Sequence, residues 1–163
     1  MGIMFRIGIL CTLLAIALFS PWKFTLGEEL NGWQALQRGD YDLAEQVWLP
    51  RAERGEVEAL LFLGHLETMR EQYSESAKWY QRAAAKGNAT AQTLLASQYL
   101  NGQGVTIDPV RAFAWYELAA KQGHANAARA RDATERQMTT EEVELASQLA
   151  RHWLRDGAPT VQD

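Results

Sequence analysis

Residues Ala91 to Ala127 read AQTLLASQYLNGQGVTIDPVRAFAWYELAAKQGHANA. Ala91, Leu94, Leu95 and Tyr99 recur at helical spacing, so they share one face of an α-helix that must be buried. Asn101, Gly102 and Gly104 tolerate positive φ, and Asp108 followed by Pro109 joins an N-cap side chain to a proline at the first helical position. A second helix therefore starts there. Ala112, Trp115, Tyr116, Ala119 and Ala120 form its apolar face, and Gly123 stands where a left-handed residue would end it. Small alanines beside large aromatics predict close packing of the two helices.

The same pattern occurs upstream. Ser76, Trp79, Tyr80, Ala83, Ala84 and Gly87 each lie 36 residues before Ala112, Trp115, Tyr116, Ala119, Ala120 and Gly123. A weaker copy, Ala44, Val47, Trp48, Ala52 and Gly55, lies 32 residues further back. The period is that of a two-helix repeat. The turn after Leu63-Gly64 lacks the Gly-x-Gly-Val-x-x-Asp element, which accounts for the four missing residues.

The order Ala, Leu, Tyr, Gly-x-Gly-Val, Asp, Ala, Trp-Tyr, Ala-Ala, Gly resembles the Sel1-like repeat, a relative of the tetratricopeptide repeat. The resemblance covers about Gly32 to Trp153, and the full signature stands only at Ala91 to Gly123. It implies an all-α fold: a short α-solenoid of three to four antiparallel helix pairs over residues 28–156, with a C-terminal capping helix.

Residue patterning places helices at about Leu30–Arg38, Tyr41–Arg54, Val57–Arg70, Tyr73–Lys86, Ala89–Leu100, Pro109–Gln122 and Ala125–Gln137. Pro50 is a misfit inside the second, where a bend or break is expected. Thr139-Thr140-Glu141-Glu142 is a capping box for a last helix, whose stripe is Val143, Ala146, Leu149, Ala150 and Trp153. That helix reads as a cap over the final hydrophobic face; a partner-binding or membrane-surface helix is the alternative. Residues 157–163 read as a frayed tail.

The chain has 163 residues and a formal net charge of −4. That length suits one domain, and interspersed charge offers no basic stripe for nucleic acid. Residues 1–27 read as an export signal or membrane anchor. The apolar run Ile7 to Phe19 has 13 residues, the length of a signal core and short of the roughly 20 that span a bilayer. Extension to Phe24, with Trp22 and Lys23 at the interface, would approach a span, whereas Thr25-Leu26-Gly27 offers a cleavage site before Glu28. Either reading places the repeats outside the cytoplasm, in the periplasm or anchored to the inner membrane. The single cysteine, Cys11, lies inside this run, so neither disulfides nor thiol catalysis are expected in the folded part.

No catalytic, metal or cofactor site is expected. His65, His124 and His152 lie in different repeats or the cap, without ligand spacing to one another or to carboxylates. His124 reads as a turn residue, and His152 as a charge near a helix C-terminus. Gly102-x-Gly104 lacks the third glycine or Lys-Ser/Thr of a phosphate loop. Six tryptophans raise glycan or peptidoglycan stacking, although Trp79 and Trp115 at equivalent positions are expected in the core.

Tetratricopeptide resemblance implies a concave face formed by the first helix of each pair. Its partner-binding candidates are Glu58, Leu61, His65, Thr68, Thr90, Thr93, Ser97, Asn101, Asn126 and Arg129. The partner is then a protein or peptide, and the function that of a non-catalytic envelope adaptor. The alternative is a glycan-binding or wall-enzyme accessory protein.

Overall fold

The computed structural model describes residues 32–159. A short helix, α1, spans residues 32–37. It is followed by α2 (Tyr41–Glu53), α3 (Val57–Met69), α4 (Tyr73–Ala85), α5 (Ala89–Asn101), α6 (Pro109–Lys121), α7 (Ala125–Glu135) and α8 (Thr140–Asp156). No strand occurs among the described residues. The expected signal or anchor at 1–27 and the last residues of the expected tail, 160–163, lie outside them.

The described residues divide into two compact units, one ending at Val47 and the other beginning at Trp48. In the first, Gly39 ends α1 at φ 75, and the Asp40 amide returns to the Ala35 carbonyl at 2.9 Å. The Asp40 carboxylate then accepts from the Leu43 amide at 3.2 Å, which caps the start of α2. Pro50 causes no break, because it stands in the last turn of α2 and the helix ends three residues later at Glu53. A proline that late forfeits one ladder bond with little helix beyond it to disturb.

In the second unit each helix from α3 to α6 packs on its successor, and α8 folds back onto α6. The expected start signals are in place. Asp108 accepts from the Arg111 amide at 2.9 Å with Pro109 at the first turn of α6. Thr139 and Glu142 exchange bonds of 3.2 and 2.8 Å at the start of α8. The α3–α4 turn, which has no glycine, uses Glu71 at φ 60, a left-handed conformation costing about 1–2 kcal/mol in a residue with a Cβ.

Two other close approaches need glycine. A Cβ on Gly64 would run into the Tyr80 ring, so that ring lies directly on the backbone of α3. A Cβ on Gly104 would meet the backbone of Tyr73, so the long α5–α6 loop rests on the first turn of α4.

Side chains also tie one pair to the next. Arg82 on α4 donates to the Ala52 carbonyl at 3.0 Å, in the last turn of α2. Ala84 is the equivalent of Ala52 one copy on, and its carbonyl accepts from Gln92 on α5 at 3.1 Å. Gln122 holds the Gln92 amide from the other side at 2.8 Å. The Ala52 and Ala84 carbonyls also accept from the Gly55 and Gly87 amides at 2.9 Å, so Arg82 and Gln92 use their second lone pairs. Gln92 and Gln98 are buried although they lie off the predicted stripe of α5, whereas Leu94 on that stripe is half-buried. Because α5 is packed by both α4 and α6, its buried surface exceeds one stripe.

The tryptophans at equivalent positions differ. Trp115 is 1% exposed beneath Trp153 of α8, with ring centroids 4.6 Å apart. Trp79, expected in the core, is half-buried, with the Arg82 guanidinium 4.7 Å from its ring. The last helix covers Trp115, and an arginine lies over Trp79. Trp115→Ala should therefore cost roughly 3–5 kcal/mol, and Trp79→Ala less than half of that, when both are read by denaturant unfolding. Glu71→Gly, which removes a Cβ from a left-handed residue, should raise stability by about 1 kcal/mol in the same measurement.

Candidate functional site

Repeat register arranges the candidate face in rows. Glu58, Thr90 and Asn126 occupy one equivalent position on α3, α5 and α7; Leu61, Thr93 and Arg129 occupy the next; His65 and Ser97 share a third. Glu58, Thr90, Asn101, Asn126 and Arg129 are exposed, while Leu61, His65, Thr68, Thr93 and Ser97 are half-buried. The half-buried polar members are held by the second helices. The Tyr80 hydroxyl lies 3.1 Å from His65 Nδ1 and 3.3 Å from Thr68 Oγ1. One repeat on, the Tyr116 hydroxyl lies near Ser97. Each tyrosine thus places its hydroxyl under the equivalent residue of the preceding helix.

Behind His65 the hydroxyls form a chain. Thr68 Oγ1 donates to the Gly64 carbonyl at 2.9 Å and lies 2.7 Å from Ser76 Oγ, which accepts from the buried Gln98 amide at 3.1 Å. Burial pushes the Tyr80 phenol up, opposed by hydrogen bonds with Thr68 and Ser76. Burial likewise raises Tyr116, opposed by Ser97. For His65 the desolvation acts the other way and lowers its pKa, because charging the ring would take the cation out of water.

On the next row Thr93 Oγ1 donates to the Ala89 carbonyl at 2.8 Å and meets His124 Nδ1 at 3.3 Å. His124 occupies the N-cap of α7 without capping it, whereas its equivalent, Asn88, accepts from the Ala91 amide at 2.8 Å. Histidine therefore replaces a cap with a contact between helices. Ser97 accepts from Asn101 at 3.2 Å, and Asn126 accepts from Arg129 at 2.6 Å. His152 lies near the end of α8 with Nδ1 2.7 Å from Asp156.

Tyr80, Tyr116 and His124 join this face although pattern reading assigned the tyrosines to the apolar stripe and His124 to a turn. The Trp-Tyr pair repeated at 36 residues was the available signal, but only side-chain direction shows that the hydroxyl reaches the face. The α5–α6 loop forms a second feature, a shallow cavity of ≈ 420 Å³ lined by Tyr99, Val105, Thr106, Ile107, Asp108 and Arg111. Asp108 and Arg111 pair at 3.3 Å across it, and Ile107 is 63% exposed. Among the described residues no group of three or more His, Cys, Asp or Glu side chains could hold a metal ion.

The stretches that build these two helix pairs match a known sequence pattern. The Sel1 repeat pattern matches residues 57–88 and 89–124. The chain carries two Sel1 repeats. The first Sel1 repeat is α3 with α4, and the second is α5, the loop and α6. Such repeats generally mediate protein–protein interactions. Among solved structures the chain is similar to a protective antigen present in uropathogenic Escherichia coli strains that displays an SLR fold. The match has a TM-score of 0.72 at 24% identity and covers 83% of this chain and 31% of that one. The likeness is one of fold, and this chain spans about a third of that protein's length. Comparison with curated proteins gives no match.

The lowered pKa of His65 sets a direction for stability. Below the ordinary value of 6.5 the unfolded chain binds the proton more readily than the folded one. This contribution is complete above the unfolded value and declines as pH falls toward the lower folded value. The midpoint of urea unfolding should therefore fall between about pH 7.5 and about pH 5.5, and fall less in His65→Gln, which carries no titrating ring.

Proposed function

We propose that this chain is a non-catalytic adaptor of the bacterial cell envelope that holds a protein or peptide partner on the α3–α5–α7 face. The observation that carries the reading is the tyrosine behind each member of the third row. Tyr80 holds His65 from behind and Tyr116 stands near Ser97, so the face offers positioned polar groups rather than loose surface side chains. The carriage of Sel1 repeats supports a protein partner. The apolar run from Ile7 to Phe19 supports export or anchoring, with the repeats in the periplasm.

A second reading, binding of glycan or peptidoglycan, is favoured by Trp33, whose side chain is 45% exposed. Co-sedimentation with purified sacculi that is lost in Trp33→Ala would select it over the adaptor.

Photo-crosslinkers at Thr90, Asn126 and Lys78 test the adaptor. The first two should capture one and the same envelope protein, and Lys78, exposed on α4, should not. Absence of any captured envelope protein, together with turnover of a small substrate by the purified chain, would overturn the reading.

A further inference from the structure

The α5–α6 loop is held in one shape along its length. Gly102 starts it in a left-handed conformation at φ 67, and the Asp108 amide closes it on the Tyr99 carbonyl at 2.9 Å. The Gln103 amide donates to the Gln98 carbonyl at 3.1 Å, and Gly104 lies against the backbone of Tyr73 on α4. A loop pinned at both ends and in the middle presents its cavity without the entropy cost of ordering it on binding.

Three kinds of group meet in that cavity. Val105 and Ile107 supply an apolar wall, with Ile107 63% exposed. The Arg111 guanidinium stands over the Tyr99 ring, 5.8 Å from its centroid, yet the arginine side chain is 55% exposed and keeps cationic surface for a second ring. The Asp108 carboxylate accepts from the Arg111 amide with one oxygen, at 2.9 Å, and meets Arg111 Nε with the other, at 3.3 Å. Two carboxylate oxygens have about four acceptor sites, so this half-buried group can accept a further donor.

These groups discriminate between ligands. Arg111 repels a cation and Asp108 repels an anion, so a charged side chain loses on one what it gains on the other. An aliphatic side chain uses the apolar wall and neither charge. A tryptophan uses all three: an apolar body for Val105 and Ile107, a negative π-face for the guanidinium, and an N–H for the carboxylate. The α3–α4 turn, which lacks the Gly-x-Gly-Val-x-x-Asp element, offers no equivalent set.

We propose that the α5–α6 loop is an anchor site for a tryptophan side chain of a partner protein, with the indole ring stacked on Arg111 and its N–H donating to Asp108. This rests on the adaptor reading and adds to it a contact on the loop rather than on the helix face. The cavity of ≈ 420 Å³ has room for one indole. Aromatic side chains seated in a pocket carry much of the binding energy of protein interfaces, so a single anchor of this kind can fix where a partner docks.

N-acetyl-tryptophanamide titrated into the full chain, followed by amide NMR, should shift the signals of Val105 to Arg111 to saturation. N-acetyl-leucinamide, which offers only apolar surface, and the 1-methylindole analogue, which has no N–H, should each bind about threefold to fivefold more weakly. Arg111→Leu keeps the apolar stem without the cation and should weaken the tryptophan probe to the same degree. Asp108→Asn retains a capping side chain but exchanges an acceptor for a donor, and should act likewise while the rest of the spectrum is unchanged. A photo-crosslinker at Ile107 should capture the same envelope protein as those at Thr90 and Asn126, in a segment that contains a tryptophan. A peptide of that segment should lose its binding when the tryptophan is exchanged for leucine. No shift with the probe, equal binding of the tryptophan and leucine amides, or indifference to Arg111→Leu and Asp108→Asn would overturn this inference and leave the adaptor standing. Capture at Thr90 and Asn126 with none at Ile107 would do the same. No capture at any of the three positions would overturn both.

Discussion

The absence of a side chain at Gly64 lets the Tyr80 ring rest on the backbone of α3, and much of the first Sel1 repeat depends on that contact. It brings the two helices close. It also carries the phenol across their interface, so that its oxygen emerges beside His65 and Thr68. In the second repeat the equivalent of Gly64 is Ala96, also buried, and Tyr116 meets Ser97. A small residue under an aromatic thus serves packing and also supplies the face with a fixed hydrogen-bonding group.

Continuity between repeats has a different origin. Gly104 lays the α5–α6 loop on the start of α4, and Arg82 and Gln92 bind the last-turn carbonyls of Ala52 and Ala84. These are polar ties between helix ends, added to apolar contact between helix sides. They stop at α6, where α8 takes over by placing Trp153 against Trp115. The capping helix therefore closes the array with an aromatic pair, beside an ion pair from Arg131 on α7 to Glu117 on α6 at 2.7 Å.

The face that results is polar without strong charge. Hydroxyls, amides and imidazoles dominate it, and most of the half-buried ones are already bonded to a neighbouring helix. Such groups are costly to leave unpaired and, once paired, have few rotamers left. Groups held in this way suit a scaffold that recognises a partner by geometry rather than by long-range attraction.

The helices were legible in the sequence because their signals are local. Asp108-Pro109, the Thr139–Glu142 box and the recurring turn glycines act within a few residues, and the 36-residue spacing of Trp79-Tyr80 and Trp115-Tyr116 exposes the pair as a unit. The candidate face was legible as a set of positions, from Glu58 through Arg129, but not as a set of contacts. Sequence by itself determined the all-α class, the Sel1 repeat and its register, since periodicity and capping depend on neighbours along the chain. Only the tertiary structure decided that Trp115 is sealed while Trp79 is half exposed, that Gln92 and Gln98 are buried, and that His65 meets Tyr80 while His124 meets Thr93. Those outcomes depend on which helix covers a side chain, and that is set by residues up to 38 positions away, as from Trp115 to Trp153.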